Sequence, residues 1–85
     1  MVILSDDAKT VLREMDSAAR KLIGGEIRKY QDGKPVNIRK LKGRIDMWRL
    51  AAGDWRIIIE ARQGENEKVF EIVDVIQRKD AYRDR

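Results

Sequence analysis

Apolar residues recur at Ala8, Val11, Leu12 and Met15, spacings of i, i+3, i+4 and i+7 that put all four on one helical face. Ser5 stands just ahead, where a hydroxyl can accept from the free amides of a first turn. Asp6 and Asp7 follow, and negative charge suits the positive end of a helix. The pattern predicts a first helix over 6–15. Asp16-Ser17 is a second capping signal, and Ala19, Leu22, Ile23, Ile27 and Tyr30 form the next apolar stripe. A second helix is predicted over 17–31, stopped by Gly33 and Pro35. The short break between the two helices predicts a hairpin. Gly24-Gly25 falls inside the second helix, at a cost of roughly 1 kcal/mol per glycine relative to alanine. Two readings stay open there: a close approach to the first helix, or a kink.

Ahead of the helices, Val2-Ile3-Leu4 reads as a brief strand. Beyond Gly33 the period changes from 3.6 to 2. Met47–Ala51 alternates, Gly53-Asp54 marks a turn, and Trp55, Ile57, Ile59 and Ala61 alternate with Arg56, Ile58, Glu60 and Arg62. Gln63–Asn66 is another turn, and Val69–Ile76 is a long β-rich run. Three successive strands joined by tight turns make an antiparallel meander. Two helices can cover one face of it, which predicts an α+β, two-layer domain spanning 1–85. Residues 34–45 read as a long loop, and Arg78–Arg85 as a short last helix or a frayed end.

Strand parity sorts the side chains. Trp48 and Leu50 share a face with Trp55, Ile57 and Ile59, the side the helices are expected to cover. Arg49 and Arg56 then fall together on the uncovered side, bordered by the loop with Arg39, Lys40, Lys42 and Arg44. Arg49 and Arg56 could instead pair with Glu60, Glu71 or Asp74. Trp48 and Trp55 read as core residues, Glu60 as an ion-pair partner of Arg56 or Arg62, and Tyr30 as packing at the end of the second helix.

Charge sharpens this picture. The net charge is +4, from 19 basic and 15 acidic side chains. Residues 1–33 are neutral overall, with six of each sign, whereas 34–56 hold seven basic and two acidic side chains. A local excess of +5 suits a polyanion such as nucleic acid. There is no cysteine and no histidine, so no thiolate or imidazole is present to hold zinc, and no disulfide can form. No apolar run approaches the ~20 residues of a membrane span. The start turns acidic at Asp6 after four apolar residues, unlike a secretion signal. A cytoplasmic protein without a cofactor is expected.

The segments Lys40-Leu41-Lys42-Gly43, Met47-Trp48-Arg49-Leu50, Gly53-Asp54-Trp55-Arg56-Ile57-Ile58, Val73–Ile76 and Arg78-Lys79-Asp80-Ala81-Tyr82-Arg83, in that order, resemble the pattern of the RelE/ParE family of toxins. The likeness spans nearly the whole chain and is most specific from Leu41 to Tyr82. It implies a toxin of a type II toxin–antitoxin module, with a cognate antitoxin protein as partner. RelE-like members cut mRNA in the ribosomal A site without a metal. By position, Arg49, Arg56, Arg78 and Tyr82 are the implied catalytic residues, and Arg39, Lys40, Lys42, Arg44 and Lys79 the implied RNA contacts. Arginines aimed at developing phosphate charge are an electrostatic catalyst, and a tyrosine offers a stacking ring and a donor hydroxyl.

Two positions depart from the pattern. Ala51 stands where many relatives carry a second basic residue, and Gln77 stands where many carry a histidine. An amide cannot act as a general acid or base as histidine does. These departures keep two other functions in view: a ParE-like inhibitor of DNA gyrase, and a degenerate relative that only binds an antitoxin.

Overall fold

The structure, a computed structural model, describes residues 2–43 and 46–81. The elements in order are β1 (Val2–Leu4), α1 (Asp6–Glu14), α2 (Ser17–Gln31), β2 (Ile38–Lys40), β3 (Met47–Ala52), β4 (Trp55–Gln63), β5 (Lys68–Gln77) and α3 (Arg78–Ala81). The strands form one five-stranded sheet in the order β1-β5-β4-β3-β2. All neighbours are antiparallel except β1, which runs parallel to β5. The expected α+β architecture is present, with both long helices against one face of a mainly antiparallel sheet. No helix among the described residues is long and apolar enough to cross a membrane.

Both helix starts follow from their capping residues. The Ser5 hydroxyl accepts from Ala8 N at 3.1 Å, and Asp16 Oδ1 accepts from Ala19 N at 2.8 Å. A cap of this kind is worth roughly 1 kcal/mol. Ser5 does more than cap: its hydroxyl donates to Val73 O at 3.0 Å and its amide to Ile72 O at 2.9 Å. The start of α1 is thereby fastened to β5, over which α1 lies, while α2 lies over β3. α1 ends one residue before the expected limit, with Met15 as its C-cap.

The core lies between the helices and the sheet. Ala8, Ile23, Leu50, Ala52, Ile57, Ile59, Ile72 and Val75 are each at most 2% exposed, and among the described residues no polar or charged residue is buried. Val11, Leu12, Met15, Ile27, Tyr30 and Trp55 pack against this cluster, as their periodicity requires. Leu22 departs from the expected stripe and is 44% exposed. It sits at the margin of the apolar face, above the β3–β4 turn. A Cβ added to Gly53 would lie 2.7 Å from Leu22 Cδ2, at the movable end of that side chain, and it is the φ of +59° at Gly53 that makes the turn take glycine.

α2 runs unbroken through Gly24-Gly25, and a Cβ built at either position meets nothing within 4 Å. Neither a kink nor a close approach to α1 accounts for the pair. Each glycine therefore carries its helix penalty without a compensating contact among the described residues. Gly24→Ala and Gly25→Ala are expected to add roughly 1 kcal/mol each. Thermal unfolding should show the double variant melting higher than the parent, and a lower melting temperature would contradict this account.

Tyr30 ends the apolar face of α2 edge-on to Phe70, with ring centroids 5.8 Å apart and planes at 87°. Burial raises the pKa of its hydroxyl above the usual value. The fold thus favours the neutral phenol. That stability is complete below the unfolded chain's value of about 10 and is lost as pH rises through the higher folded value. Urea midpoints followed from pH 8 upward should fall more steeply in the parent than in Tyr30→Phe once pH passes about 10. Parallel curves would refute a role for this hydroxyl.

One segment departs from the sequence reading. The expected loop 34–45 contains β2, an edge strand whose Ile38 packs against the core. Three residues, two of them cationic, give too little alternation to read, yet charged side chains are common on sheet edges.

Candidate functional site

Residues paired across neighbouring strands share a face, so the ladder registers place each side chain. Leu50 faces Ile57 and Trp48 faces Ile59, which puts these on the helix side. On the opposite, helix-free face, one row runs Arg39–Arg49–Ile58–Asp74 across β2, β3, β4 and β5. The next row, toward the β3–β4 turn, runs Ala51–Arg56–Ile76. The row on the other side runs Met47–Glu60–Glu71–Ile3. This face is therefore polarised, with arginines toward β2 and β3, carboxylates toward β5, and Ile58 between them in the central row.

Arg39, Arg49 and Arg56 line one small depression of about 50 Å³ together with Asn37 and Ala51. Arg39 and Arg49 stand directly opposite each other, a like-charge pairing that destabilises a ladder unless something anionic offsets it. Arg56 is held in place from within. Its Nη1 donates to Gly53 O and Trp55 O, each at 2.8 Å, so the guanidinium is braced on the β3–β4 turn. The expected pairing of Glu60 with Arg56 or Arg62 is absent among the described residues. Arg62 Nη1 pairs with Glu71 Oε1 at 2.6 Å instead, because Arg62 and Glu71 lie diagonally across β4 and β5.

The remaining expected site residues go elsewhere. Lys40 faces Trp48 on the helix side of the sheet, its Nζ 5.8 Å from the ring centroid, in a cation–π contact. Lys42 is exposed in the turn after β2. Arg78 and Lys79 do not line the arginine depression. They border a larger cleft of about 570 Å³ with Asp54, Trp55 and Gln77. The reason is local: β5 ends at Gln77, and at Arg78 the chain turns into α3, tied to the β3–β4 turn by Arg78 N donating to Asp54 O at 2.6 Å. Arg56 thus lines the depression, while its chain neighbour Trp55 lines the cleft. Arg44 and Tyr82 lie outside the described residues.

Asn37 is a member of the depression that sequence reasoning missed. Its carbonyl accepts from Ala51 N at 2.9 Å, which fixes it beside β3. The signal was the two-residue spacing to Arg39, visible only once β2 is recognised as a strand. Ala51 also acquires a place. It lies in the same depression, opposite Arg56.

Together these groups can bind a phosphodiester. Guanidinium forks match phosphate oxygens in plane and stay charged at any working pH. They can also stabilise charge that grows on a phosphate during reaction, provided they are fixed beforehand.

No family model and no curated protein matches the sequence. Solved structures do match. The chain is similar to the archaeal RelE of Pyrococcus horikoshii OT3, solved as a RelE–RelB complex, at 23% identity and a TM-score of 0.69, covering 91% of this chain and 92% of that one. It is similar to the RelE of a RelB–RelE antitoxin–toxin complex from Methanococcus jannaschii at 24% identity and a TM-score of 0.68, covering 94% of both chains. A YoeB/ParE toxin from Agrobacterium tumefaciens matches with a TM-score of 0.70 at 13% identity, over 89% of this chain and 96% of that one. Helices on one face, the strand order and near-complete coverage in both directions establish that this chain has the RelE/ParE-like toxin fold.

Proposed function

We propose that this chain is the toxin of a type II toxin–antitoxin pair, acting in the cytoplasm as a metal-independent, ribosome-dependent mRNA endonuclease. The observation that carries the reading is the convergence of Arg39, Arg49 and Arg56 on the helix-free sheet face. In the reaction, the 2′-oxygen of one ribose attacks the adjacent phosphorus and forms a new O–P bond. The P–O5′ bond breaks, leaving a 2′,3′-cyclic phosphate and a 5′-hydroxyl. One proton leaves the 2′-hydroxyl and one reaches O5′. The arginines bind the phosphate and stabilise the additional negative charge on its oxygens as the O–P bond forms. With no histidine in the chain, proton transfer falls to Tyr82 or a lysine.

The solved relatives from Pyrococcus horikoshii and Methanococcus jannaschii were each seen with RelB, which supports an antitoxin partner for this chain. Expression in a bacterium with mapping of mRNA 5′ ends tests the activity. Codon-phased cleavage during growth arrest is expected. Growth arrest without cleavage, together with loss of supercoiling by purified gyrase, would replace this reading with a gyrase inhibitor. Ala51, an uncharged residue lining the depression, favours that alternative.

A further inference from the structure

The acidic side of the open face has no part in binding a phosphate, yet one of its residues is set with care. β4 and β5 slip register between Ile58 and Ile59: Ile58 faces Asp74 while Ile59 faces Ile72, so Val73 is left over as a bulge. Bulges re-aim side chains and recur beside functional sites. This one is clamped from the helix layer by the Ser5 hydroxyl on Val73 O at 3.0 Å. Asp74 is the next residue, and its Oδ1 accepts from Val75 N at 2.9 Å, which fixes the carboxylate relative to the strand. Asp74 ends the row that begins with Arg39 and Arg49, with Ile58 between. Ile76 stands beside Arg56 in the adjoining row. Arg49 and Asp74 are two strands apart, roughly 10 Å at about 4.8 Å per strand. One nucleotide bridges such a gap from its phosphate to the outer edge of its base.

We infer that Asp74 reads the base of the nucleotide whose phosphate the arginines hold, with the base lying over Ile58 and Ile76, and that it selects guanine. The inference rests on the RNA-binding reading above and adds a sequence preference to it. A carboxylate only accepts hydrogen bonds. Guanine's outer edge presents an imino N–H and an amino N–H side by side, which meet both needs of a carboxylate. Adenine and cytosine place a bare ring nitrogen beside the amino group, and uracil flanks its single N–H with two carbonyls. Each of those lone pairs is repelled by Asp74.

The test is a titration of the full chain, followed by NMR at low salt, with guanosine 3′-monophosphate and uridine 3′-monophosphate. Guanosine is expected to bind about fivefold or more tightly, the lower bound for a matched pair of hydrogen bonds to a base. In Asp74→Asn, which keeps an oxygen for Val75 N, the ratio should fall to about one through loss of guanosine affinity. Equal affinities in the parent, with shifts at Arg39, Arg49 and Arg56 for both nucleotides, would overturn the role of Asp74 and leave the phosphate site standing. If neither nucleotide shifts the arginines, the RNA reading fails and this inference with it.

Discussion

Arg56→Ala is expected to lower RNA cleavage by roughly 100–1,000-fold, the usual loss when one fixed donor to a developing negative charge is removed. Two features single out Arg56. It shares a depression with Arg39 and Arg49, and its Nη1 is already committed to Gly53 O and Trp55 O. A guanidinium held on its own turn does not have to be ordered when RNA arrives, so its interaction with the reacting phosphate is not diminished by an entropic cost. Arg56→Lys keeps the charge and loses the planar fork, so it should recover only part of the activity. Thermal unfolding separates chemistry from folding, since the two hydrogen bonds are to exposed or half-buried carbonyls and their loss costs about 1 kcal/mol. Cleavage by Arg56→Ala within a few fold of the parent, at equal expression, would remove Arg56 from the mechanism.

The largest effect on stability is expected one residue further on. Ile57→Ala should cost roughly 2–5 kcal/mol, since it empties a fully enclosed site between β3 and β5. A chain of this length has a total stability of about 4–13 kcal/mol at roughly 0.05–0.15 kcal/mol per residue. The variant should therefore melt at least roughly 8 °C lower, at about 4–8 °C per kcal/mol for a domain of this size. Ile58→Ala, on the open face and half-buried, should cost about half as much or less. Comparing these neighbours tests the sheet parity on which the placement of the arginines depends. A larger drop for Ile58→Ala than for Ile57→Ala would mean that the faces have been assigned the wrong way round.

Most of the architecture could be read from the chain because two periods are written plainly in it. The i, i+3, i+4 spacing of Ala8, Val11, Leu12 and Met15 reflects a helix with one dry side, and the alternation from Trp55 to Ala61 reflects a strand with one dry side. The same alternation brings Arg49 and Arg56 to one face. It failed where burial was not the organising force. β2 is held by backbone pairing to β3 and is mostly exposed, so hydrophobicity gave no sign of it, and Asn37 was lost with it. Arg78 escaped for a different reason. Parity applies only while the chain remains extended, and β5 becomes helix at that residue. Leu22 was misplaced because it lies next to Ile23, and a helical stripe has a blurred margin of about one residue. The bulge at Val73 left no mark in composition, and the hydroxyl that clamps it comes from Ser5, 68 positions away in the chain.

The lengths of the strands have a consequence for crowded solutions. The outermost members, β1 and β2, have three residues each, whereas the interior β4 and β5 have nine and ten. A second copy seeking to extend the ladder would find a template too short to hold it, and on the β2 rim it would also meet Arg39 and Lys40, which repel their own image. The long β4 and β5 are the segments most able to nucleate aggregation; β4 lies between β3 and β5, and β1 covers the outer flank of β5 along Phe70–Ile72.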